Sequence, residues 1–259
     1  MVFNVIHGVD EKDPSTIMTP FQFERNIKLA SLRIGVDAAA PKEFVDKLRE
    51  LGMNPTTIGP RPTVPGSGGG LGAEGAAAFD AYVQRKAKEI GLDLTNLPEP
   101  TPGGGGRGAA AAAAPAGGAP AAPASPMAPA DWNPRFVNGR RPRAFEFIQN
   151  QRRRYALITK WAEFMKDLDM FIGAVQVDTG PNAQTGHPCV VLPYKFDVPA
   201  AGGGGGGAAA AAANQPPVQL KPQPICAIIT GNLYNDDKIL SVAHHFQTHT
   251  DFHAKRPTL

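Results

Sequence analysis

The sequence predicts an α/β fold: a mixed sheet covered by helices and interrupted by long Gly/Ala/Pro-rich loops. Three observations lead there. Short continuous apolar runs recur along the chain, as in strands buried on both faces. Segments with apolar residues at i, i+4 and i+7 alternate with them, which is the α/β pattern. Glycine and proline, 29 and 26 of 259 residues, gather in a few tracts and leave those segments largely clear.

Leu32-Arg33-Ile34-Gly35-Val36 reads as the first strand. A helix follows from Pro41 to Gly52, with Phe44, Leu48 and Leu51 on one face. Pro41 suits a first helical position and Gly52 a left-handed stop. Residues 73–90 predict one helix with Phe79, Val83, Ala87 and Ile90 on its apolar stripe. Residues 144–168 predict the longest helix, with Phe147, Ile148, Ala156, Leu157, Trp161, Phe164 and Leu168 as its apolar positions. Met170 to Val175, Cys189 to Pro193 and Ile225 to Gly231 read as further strands. A last helix spans about 235–249, with Asp236 and Asp237 in the first turn, where the helix dipole favours them.

Two insertions, 99–130 and 197–217, are low in complexity and nearly free of large apolar side chains. Ordering backbone costs roughly 1–2 kcal/mol per residue, and alanine and glycine bury too little to offset it. They are expected to be solvated loops. A weaker Gly/Pro stretch at 59–72 is either a flexible tether or an insertion at a surface turn; surface insertions add little closure entropy.

Composition excludes several classes. With 26 Lys+Arg against 23 Asp+Glu, the net charge of +3 is too small for a nucleic-acid partner. No apolar run reaches the ~20 residues of a membrane helix, so no membrane association is expected. Met1 to Gly8 carries no signal-peptide pattern, and the expected location is cytoplasmic. Cys189 and Cys226 are too few for a disulfide framework.

The chemical candidates are sparse. His245, His249 and His253 recur at i, i+4 and i+8, and two imidazoles one turn apart can share zinc. Phe246 stands where the HExxH motif has glutamate, and Pro257 is close to His253, so the favoured reading is a polar helix edge. Arg140, Arg141, Arg143 and Arg152 to Arg154 form the basic concentration. Three successive helical arginines cannot make one stripe, so a solvated face is expected. The glycine tracts lack the GxxxxGK[ST] phosphate loop, and Ser67 sits in a linker-like Pro65-Gly66-Ser67-Gly68-Gly69. Cys189 lies two residues after His187; a Cys–His nucleophile and a plain core cysteine both remain open, since the spacing leaves their geometry undecided.

Three stretches, in order, resemble the amidase signature family, the Ser–Ser–Lys amide hydrolases that include one component of glutamyl-tRNA amidotransferase. Phe3 to Ser15 is similar to the family's N-x-I-x-G-x-D-x-x-D-P turn. Leu29 to Asp37 is similar to its L-x-G-L-R-I-G-V strand, with a departure at Ala30-Ser31. Thr185 to Pro193, Pro224 to Gly231 and Asp237 to His244 resemble its C-terminal T-G-x-P-x-x-x-x-P, P-x-x-x-x-x-x-G and closing helix. The two insertions depart from the family's shorter connections.

The resemblance implies that residues 1–259 form a partial amidase domain, its C-terminal portion. In the family both serines and the lysine precede the turn that begins here at Gly8. A serine hydroxyl without a base is a weak nucleophile, and neither Lys12 nor Lys28 is spaced to be that base. The implied catalytic, cofactor and metal residues of this chain are therefore none, and it should be inactive alone. The implied partner is a complementing N-terminal amidase half, or a second copy through self-association. An interaction module or a truncated gene product derived from an amidase is the alternative.

Overall fold

A computed structural model describes residues 5–95, 138–198 and 221–255. The chain divides into two compact units, residues 1–62 with 160–259, and residues 63–159.

The first unit holds the sheet. Strand β1 (Ile34–Val36) is followed by helix α1 (Lys42–Glu50) and a two-residue strand β2 (Thr56–Thr57). Pro41 occupies the N-cap with extended backbone, one position earlier than expected, and its carbonyl accepts the Val45 N–H at 3.1 Å. Gly52 does end α1, at φ +88°. The Gly52 N–H bonds Arg49 O and the Met53 N–H bonds Leu48 O, while Leu48 and Met53 are both buried in one cluster. That is the glycine-terminated helix stop with its apolar clasp.

In the second unit the single helix expected at 73–90 is two, α2 (Gly70–Ala78) and α3 (Asp80–Ile90), broken at Phe79. The stripe is correspondingly split. Val83 and Ala87 are buried, but Phe79 and Ile90 are exposed. Gly91, at φ +69°, turns the chain so that the Leu92 N–H reaches Ala87 O, and Leu92 packs on the stripe in place of Ile90. Helix α4 (Ala144–Met165) begins in this unit, and its residues from Lys160 onward belong to the first.

Back in the first unit, strand β3 (Met170–Ala174) leads directly into helix α5 (Val175–Thr185), then β4 (Cys189–Asp197), β5 (Gln223–Gly231) and helix α6 (Asp236–Thr248). The sheet order is β2-β1-β3-β5-β4. β1 runs parallel to β2 and β3, and β5 is antiparallel to β3 and β4. The fold is thus α/β with a mixed sheet, and the four expected strands share it. Met170 and Ile172 face a core shared with Phe44 and Leu48 of α1 and Ile239, Val242 and Phe246 of α6. Phe171 points to the other face, 5.9 Å between ring centroids from both Trp161 and Phe164. β1 lies close to its neighbours: a Cβ on Gly35 would stand 2.7 Å from Ile58 Cγ2.

Two elements escape sequence patterning. β2 is two exposed threonines, too short for any period, and α5 contains Gly180 and Pro181. One expectation is corrected: the apolar run at 189–193 is not a strand covered on both faces. β4 is a sheet edge, with Cys189 and Val191 exposed. It runs on to Asp197 past Pro193, which an edge tolerates, and a register shift between Pro193 and Lys195. The start of the 59–72 stretch is also no tether. Arg61 pairs with buried Asp37 at 2.9 Å, and Pro62 O accepts the Trp161 Nε1–H at 3.1 Å. The 99–130 insertion lies outside the described residues, as does 197–217 beyond Val198.

Candidate functional site

The residues most resembling a known motif, Thr185-Gly186-His187-Pro188, form the turn between α5 and β4. Gly186 adopts φ +80°, and its N–H bonds Asn182 O at 2.9 Å. The left-handed residue reverses the chain so that Pro188 O meets the Gly231 N–H at 2.8 Å. Gly231 is itself tightly enclosed, 2.8 Å from Ile239 Cγ2 to an added Cβ.

The turn places four buried polar side chains together: Asn182, Thr185 and His187, with Thr230 across on β5. Thr185 Oγ1 donates to Pro181 O at 3.0 Å. Its single proton is then committed, so its 2.9 Å contact with His187 Nδ1 requires the ring nitrogen to donate. The hydrogen-bond network thereby assigns the Nδ1–H tautomer and leaves Nε2 as a bare acceptor. That Nε2 is buried without a hydrogen-bond partner among the described residues. Asn182 Nδ2 donates to Thr230 Oγ1 at 3.0 Å, and Asn182 Oδ1 is likewise buried and unmatched. The cluster therefore offers two interior acceptors to a donor such as water or an N–H.

The indole of Trp161 lies 5.2 Å from the His187 ring, and burial holds the imidazole below its usual pKa of 6.5. The unfolded chain then takes up this proton at higher pH than the folded one. Stability should be complete above pH 6.5 and decline as pH falls below it. Denaturation midpoints at pH 7.5 and 5.5 should differ less in His187→Asn than in the parent. An equal fall in both would exclude His187 as the source.

A second polar centre is Asp169, buried just before β3. Its Oδ2 accepts the Arg33 backbone N–H at 2.9 Å and Arg33 Nε at 3.3 Å; its Oδ1 accepts Lys238 Nζ at 2.6 Å. Its carbonyl takes the Asn232 N–H at 2.9 Å. Burial raises this carboxyl's pKa, but the Arg33 and Lys238 hydrogen bonds outweigh it and bring the value down to about 2. The centre joins β1, β3 and α6.

The other candidates are placed as follows. Cys189 is exposed, while His187 is buried with its Nδ1 turned to Thr185, so the sequence neighbours are not a nucleophile–base pair. Ser15 Oγ donates to Asp13 Oδ1, Ser31 Oγ to Lys28 O, and Ser241 Oγ to Asp237 O. The Ser15 and Ser31 hydroxyls serve local turns; that of Ser241, inside α6, also accepts the Glu24 backbone N–H at 3.3 Å. Ser67 opens a 3-10 turn (Ser67–Gly69). In the basic region Arg140 pairs with Asp80, Arg143 with Glu146 and Arg153 with Asn150. Helix α6 stops at Thr248, so His253 leaves the His245/His249 face and sits in a separate turn (Phe252–Ala254). No sequence pattern singles out Asn182, Thr230 or Asp169; their one signal is a polar residue bordering an apolar run.

No family model matches the chain, and neither does any curated protein. Solved structures do. Two are of an unexpected vestigial protein complex bearing on the evolutionary origins of an s-triazine catabolic enzyme. The inhibitor-bound one has a TM-score of 0.55 at 15% identity, covering 95% of this chain and 50% of that one. The other has a TM-score of 0.55 at 14% identity, covering 96% and 50%. A variant of allophanate hydrolase from Kluyveromyces lactis has a TM-score of 0.50 at 13% identity, covering 95% and 36%. The likeness is one of fold. The chain spans about half the length of the first two.

Proposed function

We propose that this chain is the C-terminal portion of an amidase-signature amide hydrolase and that it cleaves no amide by itself. The observation that carries the reading is the T-G-x-P turn. Residues 185–188 and Gly231, drawn from two separate motifs of that family, meet through the Pro188–Gly231 hydrogen bond. The N-terminal motif supports it too: Gly8 takes φ +147°, and Asp10, Asp13 and Thr16 close a compact turn through the Asp13 N–H to Asp10 O bond at 3.0 Å and Asp10 N–H to Thr16 Oγ1 at 2.8 Å. One fold neighbour is by name a hydrolase, and the match to half of another's length is what a portion of such a fold gives.

A partner is part of the proposal, and one fold neighbour is described as a protein complex. The sheet edges are poor docking points. β4 carries Pro193, a bulge and Lys195, and β2 is two residues long between Pro55 and Pro60. Such features discourage edge-to-edge pairing. The segment before β1 is different: Val5, Ile6, Val9, Ile17 and Met18 are 55–80% exposed. An apolar surface of that kind is where a complementing half, or a second copy, would bury area.

Ammonia release from simple aliphatic and aryl amides tests the catalytic claim. The purified chain should give none. Turnover that survives purification and vanishes on mutating a residue of this chain would overturn it. Sedimentation velocity tests the association claim. The chain should associate with rising concentration, and Ile6→Asp with Met18→Asp should shift it toward monomer. A concentration-independent monomer would favour a free-standing remnant.

A further inference from the structure

The two histidines left on the end of α6 have a geometry that their spacing alone does not reveal. His245 and His249 are one helical turn apart, and their ring centroids lie 4.3 Å from each other with planes inclined by 40°. His249 Nδ1 is 2.8 Å from His245 O and 3.1 Å from Thr248 Oγ1. A carbonyl oxygen only accepts, so Nδ1 carries the proton. Thr248 Oγ1 donates its own proton to the same His245 carbonyl at 2.8 Å, so its contact with Nδ1 is one of acceptance as well.

A ring whose Nδ1–H is held by a backbone carbonyl presents Nε2 as a lone pair in a fixed tautomer and orientation. It is the outer arrangement commonly found behind metal-ligating histidines. His249 is exposed and His245 partly so.

We propose that His245 and His249 form a two-imidazole chelate for a divalent transition metal ion of the zinc, copper or nickel type. Imidazole nitrogen suits these ions and not magnesium or calcium. Among the described residues no group of three or more His, Cys, Asp or Glu is placed to share an ion. Water would therefore fill the remaining positions, and the site would be open and exchangeable, unlike a closed four-ligand structural centre. This inference is independent of the amidase reading, since it uses no catalytic group.

The test is a zinc titration of the full chain at pH 7.5 by calorimetry, with the thermal midpoint followed in parallel. One ion should bind in the micromolar range. His245→Ala and His249→Ala should each weaken it by at least about tenfold. His253→Ala and Cys189→Ser should leave it unchanged. Zinc should raise the midpoint of the parent and not of the two helix variants, whose metal-free midpoints should match the parent's. Binding no tighter than millimolar would overturn the proposal. So would an undiminished affinity in either helix variant, or an equal loss in His253→Ala. A metal-free midpoint that falls in one helix variant hands the decision to His249→Gln. This removes the ring and keeps a polar side chain; zinc affinity retained there would also overturn the chelate.

Discussion

Replacing Trp161 with alanine should destabilise the protein by about 3–5 kcal/mol, the range for emptying a fully buried large aromatic site. The indole is fully buried and packs against Phe164, Phe171 and His187 at centroid distances of 5.2–5.9 Å. Its Nε1–H is used as well, by Pro62 O. Collapse around the void is restricted on two sides. Phe171 is fixed in the middle of the sheet between β1 and β5, and His187 is tied by its bond to Thr185. A domain of this kind has roughly 5–15 kcal/mol in total, so the variant should lie close to its unfolding threshold at ordinary temperature. Trp161→Phe separates the contributions. It keeps most of the ring packing and leaves Pro62 O without its donor, and should cost about 1–3 kcal/mol. Urea denaturation with an unchanged m-value is the measurement. A loss below about 1 kcal/mol for the alanine variant would mean that this face of the sheet is not packed as described.

The second large effect belongs to Asp169. Asp169→Ala should lower stability by about 3 kcal/mol, because charge-assisted hydrogen bonds are worth more than neutral ones and the loss strands the Arg33 backbone N–H. Arg33 and Lys238 are partly exposed and can turn to water, which keeps the cost from growing further. The same group gives a pH signature. Its ordinary pKa of 3.8 falls to about 2 in the folded chain. The unfolded carboxylate therefore takes its proton first as acid is added. The stabilisation is complete above pH 3.8 and disappears as pH drops to about 2. The gap corresponds to roughly 2 kcal/mol. Asp169→Asn should abolish that acid-side slope while keeping the side chain's size. A parent and variant with parallel stability curves between pH 4 and 2 would refute the assignment.

Much of the secondary structure is legible in the sequence because its causes are local. The apolar runs at 170–174 and 225–231 form β3 and β5, and the i, i+4 face of Phe44 and Leu48 is the buried side of α1. Gly52 and the Asp236–Asp237 start of α6 punctuate the helices as their chemistry requires. Pattern and structure part where a neighbour decides. The exposure of Ile90 follows from Leu92 folding back onto Val83 and Ala87. β2 exists only because β1 lies beside it, and α5 forms despite Pro181 because its polar side chains bond to β5 and to the helix's own carbonyls.

The α/β class, the position of most strands and helices, and the order of the three stretches that resemble an amidase are all written in the chain itself. Each depends on side-chain periodicity and on glycine or proline placed within a few residues. The strand order, the edge position of β4, and the hub in which Asp169 holds Arg33 and Lys238 came only with the folded packing. So did the buried bare acceptor at Nε2 of His187 and the aim of His249 Nδ1 at a carbonyl. Hydrogen-bond partners and burial are set by groups far apart along the chain, and no local pattern records which of them meet.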